Sequence, residues 1–399
     1  MAGPQRTNGR RILLTAIRKS SPIARIDLAT LTGISRATVT TVTAELLGAG
    51  LIGEVAGEGD KSGRGRPRVD LKIEGSAHLV AGVKVSNRSL SLVLIDFEGK
   101  QIAEFDFPIS DQVFTPNALA LALYDGLAAM MQTVGKTVKH LSGVGIGMPG
   151  IVDVQRGFVH WSPSLSERNV HLRAEIEQIL SIPVFLDNDA NLVAMAEKQF
   201  GVGRDAKDFI VVTIESGVGM GIVINNEIYR GTRGCGAEFG HTKVQLDGAL
   251  CRCGQRGCLE AYVADYALLR EAQLLGESAS DATPEQKIES LLQKVKNGDP
   301  VAANIVNRAG RMFAMGLANI VNIFDPQLII LAGERMQFDH LYAQDVLESI
   351  KNSIVQVDQS PPEVVIHRWD DLMWAKGAAG YALEGVEEAA VVQVTAQNA

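Results

Sequence analysis

No apolar run in the chain approaches the roughly 18 residues that a bilayer-spanning helix requires. The opening stretch, MAGPQRTNGRR, is polar and lacks the apolar segment of a secretory leader. Cysteine is scarce: four in 399 residues, three of them between Cys251 and Cys258, which argues against a secreted disulfide scaffold. Together these absences lead to the expectation of a cytoplasmic protein without a membrane partner. Positive charge is also in deficit, with a net charge of −8, but the deficit is local. Residues 1–72 hold 12 Lys and Arg against 6 Asp and Glu, while the remainder holds 26 against 40. A small basic head on an acidic body implies that the head meets a polyanion and the body does not. What is abundant, 46% hydrophobic residues and 40 glycines, fits a globular α/β chain long enough for two or three domains.

The head, residues 1–72, reads as a winged helix-turn-helix. Asn8 to Lys19 places Ile12, Leu13, Ala16 and Ile17 on one helical face. A short helix then stops at Gly33, and a second begins after Ser35 as N-cap, with Val39, Val42, Leu46 and Leu47 turned inward. Arg36, Thr38, Thr40 and Thr41 point away from that apolar stripe. With Ser35 they form a small hydroxyl-rich surface that can reach phosphates and base edges of double-stranded DNA. LIGEVAGEGDKSGRGRPRVDLKI follows as two strands around a basic tip, where Arg64 and Arg66 suit a narrow minor groove. The alternative is a winged helix used only for protein contacts.

From residue 77 the pattern is that of a mixed α/β body. Three strands lead into a helix at 116–134, a strand at 144–150, a hairpin, a helix and the strand PVFLDND. Helix 190–200 precedes the strand FIVVTI, a glycine turn ESGVGMG and a second strand IVINNEIY. Mostly helix follows, interrupted by LIILAG at 328–333. Such an order implies two lobes around a cleft. Within it, CRCGQRGC supplies Cys251, Cys253 and Cys258, and His241 lies ten residues earlier. Three cysteines and a histidine make a common closed tetrahedral zinc set, and Gly254 and Gly257 let the backbone wrap around an ion. A dithiol redox site needs only two thiols and explains the spacing poorly. Structural zinc is therefore expected, with redox or inert thiols as the alternatives and Cys235 as a separate buried thiol. Glu238 and Glu260 flank the loop, where two carboxylates on one metal-fixed scaffold could accept hydrogen bonds from a ligand's hydroxyls or simply be surface carboxylates without a ligand.

GMPGIVD, LDNDAN, SGVGMGI, AEFGHTKV and CRCGQRGCLEAY, in this order and spacing, resemble the ROK family of sugar kinases and repressors. The basic head resembles that of the repressor branch. The resemblance implies an actin-like, ribonuclease-H-like fold: a small lobe at 77–187 completed by a C-terminal helix at about 373–390, and a large lobe at 188–372 with the zinc site. It also implies that Glu238, His241 and Glu260 contact sugar. Asn188 binds a hydroxyl, Asp189 matches the kinases' general base and is retained as a sugar ligand, and the turn ending at Gly150 lines the pocket. Read without the family, Asp189 is a helix N-cap. Ser164 stands where the family often has Asn.

The family's kinases carry Asp-x-Gly-Gly-Thr where this chain reads Lys84-Val-Ser-Asn-Arg88, so side chains replace bare backbone at the first phosphate turn. The second turn, Ser216 to Gly221, could still present backbone N–H groups. The expectation is therefore a non-enzyme: a sugar- or sugar-phosphate-responsive repressor, homodimeric or homotetrameric, on an operator. The alternatives are a glucokinase-like enzyme with a DNA-binding head, and a regulator whose body binds a protein.

Overall fold

In the computed structural model the described residues are 4–57, 69–86, 89–110, 113–214, 217–234, 236–273, 282–333, 353–355, 360–367 and 372–397, with single positions at 346, 348 and 350. Arg64 and Arg66 of the wing tip, Asn87, Arg88, Ser216 and Cys235 lie outside them. The chain divides into two units. The first comprises Met1–Pro149, Arg156–Asp187 and Ala378–Ala399; the second comprises Gly150–Gln155 and Asn188–Gly377.

The first unit opens with helix α1 (Pro4–Ser20), strand β1 (Ile23–Ala24), α2 (Arg25–Thr32) and α3 (Arg36–Gly48). The face of α1 that packs inward is Arg10, Leu13, Leu14 and Ile17, an i, i+3, i+4, i+7 stripe. Ile12, expected inside, is 40% exposed, and Leu14 takes its place. Gly33, at φ +69°, closes α2 by donating its N–H to Ala29 O. Two residues on, Ser35 Oγ accepts the N–H of Thr38 and starts α3. Strands β2 (Ile52–Ala56) and β3 (Val69–Ile73) pair antiparallel as the wing, and β1 adds to the far side of β3.

A five-stranded sheet follows, from β4 (Leu79–Val85), β5 (Ser89–Asp96), β6 (Gln101–Pro108), β7 (Gly143–Met148) and β10 (Val184–Asn188), ordered β10-β7-β4-β5-β6. Strand β4 is antiparallel to β5 and parallel to β7. Helix α4 (Pro116–Thr133) begins with Thr115 as cap and proline at its first position, and buries Leu119, Leu123, Leu127 and Met130. Strands β8 (Ile151–Asp153) and β9 (Phe158–Trp161) and helix α5 (Leu172–Leu180) lie between β7 and β10 in the chain.

In the second unit, α6 (Asp189–Phe200) leads to β11 (Phe209–Ile214), β12 (Val218–Ile224) and β13 (Glu227–Ile228). Helices α7 (Glu260–Val263), α8 (Asp265–Ala272), α9 (Pro284–Lys296) and α10 (Pro300–Phe324) precede β14 (Leu328–Ala332) and β15 (Glu363–Ile366). Its sheet runs β13-β12-β11-β14-β15. Counting strands in chain order within each five-stranded sheet, both have the order 3-2-1-4-5, the duplicated ribonuclease-H-like arrangement of the actin-like fold. Asp299 caps α10 by accepting from Val301 and Ala302, and Ile305, Ala309, Phe313 and Leu317 anchor the unit's largest apolar cluster. Finally α11 (Met373–Gln397) begins in the second unit and runs through Ala378 into the first.

The glycine turn expected at Ser216–Gly221 is shorter than the sequence reading gave it, and Ser216 lies outside the described residues. Val218 to Gly221 already belong to β12, in register with β11 (Gly219 opposite Thr213, Gly221 opposite Val211). A Cβ on either glycine would collide with α6, at Ala190 or Ala194. These glycines admit a helix close to the strand.

Candidate functional site

The residues singled out for metal and sugar fall within the second unit. Each ligand atom of His241, Cys251, Cys253 and Cys258 lies within 4.8 Å of the others. Cys253 Sγ is 3.7 Å from Cys258 Sγ, and Cys251 Sγ is 3.7 Å from His241 Nδ1. Two thiolates held at about 2.3 Å by a tetrahedral ion sit about 3.8 Å apart, so the four atoms have the span of one coordination shell. The thiols are free of disulfides. His241 ends the short turn Phe239–His241, and the cysteine loop folds back so that Val244 N–H and Gln245 N–H both donate to Gly257 O. Gly257, at φ +75°, has no room for a Cβ against Gln245 O. Cys251 and Cys258 are buried and Cys253 is exposed. These four residues can hold a metal ion.

Two polar side chains that sequence reasoning missed support the cluster. Lys243 Nζ donates to Cys258 Sγ at 2.9 Å and to Gln255 Oε1 at 2.6 Å, and the thiol contact raises the lysine's pKa. Tyr266 Oη lies 3.5 Å from Cys251 Sγ and 3.3 Å from Glu260 Oε1. Burial, then the Cys251 hydrogen bond, pushes the phenol up, so it stays a donor. Lys243 lies within the AEFGHTKV segment but was given no role there, and Tyr266 belongs to no motif read from the sequence.

Asn188 ends β10 and caps α6: its Oδ1 accepts from Ala190 N–H at 2.9 Å and its Nδ2 donates to Gly150 O at 2.8 Å. Asp189, read without the family as the cap, is instead the first helical residue, and its Oδ1 also accepts from Ala190 N–H. Glu260 opens α7 and accepts from Val218 N–H. Glu238 precedes the His241 turn and is an exposed residue, although protein surrounds its carboxyl closely enough to desolvate it in part. That desolvation, followed by the like charges of Asp189 and Glu260, pushes its carboxyl up to about 7. The structure thus brings Asp189, Glu238 and Glu260 into one electrostatic group, with Asn188 and Gly150 bonded beside it. A cavity of about 300 Å³, lined by Val154, Gln155, Tyr229 and Arg230 among others, shares none of these residues.

On the head, Ser35, Arg36, Thr38, Thr40 and Thr41 are all exposed along one side of α3. Thr40 and Thr41 hydroxyls donate to the carbonyls of Arg36 and Ala37. Their lone pairs and methyl groups are left to face outward, a combination suited to base amino groups and thymine methyls. Thr43, on the inner side, is buried and bonded to Arg25 Nε at 3.1 Å. Lys84 ends the paired stretch of β4 opposite Gly147 of β7.

The sequence model of the ROK family matches residues 80–384. The xylose repressor of Bacillus spizizenii is 31% identical over 346 residues, covering 86% of this chain and 85% of that protein. The DNA-binding transcriptional dual regulator NagC of Escherichia coli K12 is 30% identical over 321 residues, covering 80% and 78%. Among solved structures, a ROK family transcriptional regulator described as a homolog of the E. coli MLC protein superposes with TM-score 0.82 at 24% identity, covering 98% of this chain and 99% of that one. A ROK family glucokinase from Streptomyces griseus, in complex with glucose and AMPPNP, gives TM-score 0.64 at 28% identity over 77% of this chain and 100% of that one. The glucokinase match thus leaves nearly a quarter of the chain uncovered.

Proposed function

The chain belongs to the ROK family, and from that premise we propose that it is a sugar-responsive transcriptional repressor acting in the cytoplasm. The observation that carries this reading is the exposed hydroxyl-and-arginine face of α3, on a winged helix-turn-helix ahead of the family body. Arg36 and the threonines read base edges in the major groove, and Arg64 and Arg66 of the wing reach the minor groove. Because such heads read paired half-sites, the working form is a homodimer or a homotetramer on a two-fold operator.

The body is the sensor. Asn188, Asp189, Glu238 and Glu260 accept and donate hydrogen bonds to sugar hydroxyls, with Gly150 at the rim and His241 shared between metal loop and sugar. Zinc is the ion that best suits one imidazole and three thiolates; with four protein ligands it keeps no open position and fixes structure only. The protein's own part is to hold Glu238 and Glu260 at the two ends of that loop. Lys84 in place of an acidic residue, and side chains in place of glycines at 86–87, argue against phosphoryl transfer, so Asp189 serves as a ligand.

Mobility shifts test the reading. A duplex selected from a random pool by the full chain is titrated with D-xylose, N-acetylglucosamine, glucose and their phosphates. A change in affinity of roughly 5–150-fold with one of them is expected, the span of a typical allosteric coupling. No change with any sugar refutes the sensor. The kinase reading is favoured by retention of Asp189 and likeness to a glucokinase; ADP release with the same sugars would establish it.

A further inference from the structure

The four candidate metal ligands fall into two pairs with different surroundings. Cys251 is buried, and its Sγ lies 3.7 Å from His241 Nδ1 and 3.5 Å from both Tyr266 Oη and Glu260 Oε1. Cys253 is exposed, and its Sγ lies 3.7 Å from that of Cys258, which is buried and accepts from Lys243 Nζ at 2.9 Å. Holding an ion requires four donors but gives no reason for one of them to face solvent.

Cys253 stands at the tip of a tight hairpin. Leu250 and Arg256 pair across it as an antiparallel bridge, Cys251 N–H donates to Gln255 O, and Gly254 N–H turns back to Cys251 O. Residues 252–256 are all exposed. A Cβ added to Gly254, beside Cys253, would meet no atom within 4 Å, so the flank of the tip is open to small solutes. Between Asp247 and Glu260 the chain carries Arg252 and Arg256 and no carboxylate. Both arginines are held to the scaffold, Arg252 over the Tyr266 ring at 4.0 Å and Arg256 by donating to Gly248 O. With Lys243 they make the electropositive, partly exposed setting in which thiols react.

We propose that Cys253 and Cys258 form a hydroperoxide-sensitive latch on the metal loop, Cys253 being oxidised first and Cys258 closing a disulfide with it. The inference rests on the metal reading above. The Cys253 sulfur attacks one peroxide oxygen, the O–O bond breaks, and hydroxide leaves a sulfenic acid behind. The Cys258 sulfur then attacks that sulfur and expels a second hydroxide. Two thiolates thereby give two electrons to one hydroperoxide, and the sulfurs close from 3.7 Å to the bonded distance of about 2.0 Å. His241 and Cys251 are left as the only donors, too few for a closed tetrahedral set, and the segment between Glu238 and Glu260 is unlatched. A thiol reductant reverses the bridge.

Trypsin cuts after Arg252 and Arg256, which puts each of the three cysteines on its own peptide. The full chain loaded with zinc is treated with hydrogen peroxide beside a chromogenic chelator, quenched with iodoacetamide, digested and weighed. One zinc is expected to appear for each Cys253–Cys258 bridge formed, with Cys251 still alkylated, and dithiothreitol should restore zinc binding. Brief exposure in the presence of dimedone should label Cys253 and neither Cys251 nor Cys258. A bridge through Cys251, zinc retained while Cys253 is oxidised, or dimedone on the buried thiols instead overturns the latch. A protein that takes up no zinc refutes the metal reading itself, and this inference with it.

Discussion

Cys253→Ser tests whether the metal loop is the scaffold of the proposed sugar site. Cys253 is the exposed member of the ligand set, so its replacement leaves the core intact. Metal bound by His241, Cys251, Cys253 and Cys258 cross-links a loop of 18 residues from His241 to Cys258. Treated as loop closure, that cross-link removes about 3 kcal/mol of chain entropy from the open state. Glu238 and Glu260 stand just outside the two ends of the loop, so without metal a sugar must order the segment itself. If the whole cost fell on binding, affinity would drop about 100-fold. Contacts that survive, such as Tyr262 Oη with Ala249 N–H and Lys243 with Gln255, offset part of it, so a loss of 10- to 100-fold is expected. Metal content by elemental analysis and sugar affinity by calorimetry read the two effects separately. A variant that loses its metal yet binds the effector within about threefold of wild type would refute the scaffold argument.

Arg36→Ala should cost about 1–3 kcal/mol on a selected duplex and far less on random DNA, read by fluorescence anisotropy at matched salt. Ser164 is buried, and its Oγ is the one buried side-chain polar atom among the described residues without a hydrogen-bond partner. Ser164→Ala should therefore raise stability in urea by about 1 kcal/mol, and a loss would show that the hydroxyl has work to do. Glu238 should titrate near pH 7 by carbon NMR, and Asp189→Asn or Glu260→Gln should bring the midpoint down. Because its folded pKa lies above the ordinary carboxylate value of 4.5, Glu238 contributes stability at low pH that is lost as pH rises from about 4.5 to about 7. Glu238→Gln should flatten that slope in urea melts.

Where apolar periodicity is strong, the sequence was sufficient: β4 to β6, β7, β11, β14 and the α2–α3 pair all follow from it. The clustered cysteines with His241 likewise announced themselves by spacing. The failures have particular causes. Gly219 and Gly221 imitate a turn, yet they stand in β12 because α6 leaves no space for side chains. Strand β15 is a half-exposed edge of four residues with no apolar run to mark it. Arg10 reads as the polar side of an amphipathic helix, although its place three and four residues before Leu13 and Leu14 puts it on the buried stripe. Its partner Thr395 lies 385 residues away, and no local pattern encodes that contact. Tyr266 and Lys243 were missed for the same reason, since side-chain hydrogen bonds to a thiol leave no periodic trace.

The charges of the second unit bear on which effector it takes. Desolvation, with the like charges of Asp189 and Glu260, raises the Glu238 pKa to about 7, so its carboxyl is about half ionised at pH 7. Three thiolates beside them would, with a divalent ion and a neutral imidazole, leave one further negative charge, which Lys243 meets at Cys258. A phosphate brought to within about 4 Å of a carboxylate there would add roughly 4 kcal/mol of repulsion per charge pair at an effective dielectric of 20. Sugar hydroxyls instead donate to the carboxylates and add no charge. If these three residues hold the effector, the hydroxyls they grip are free ones, and any phosphate it carries lies at the far end of the sugar. Esterifying a gripped hydroxyl should abolish binding. Binding of such an ester with undiminished affinity would show that the carboxylates face something other than the ligand.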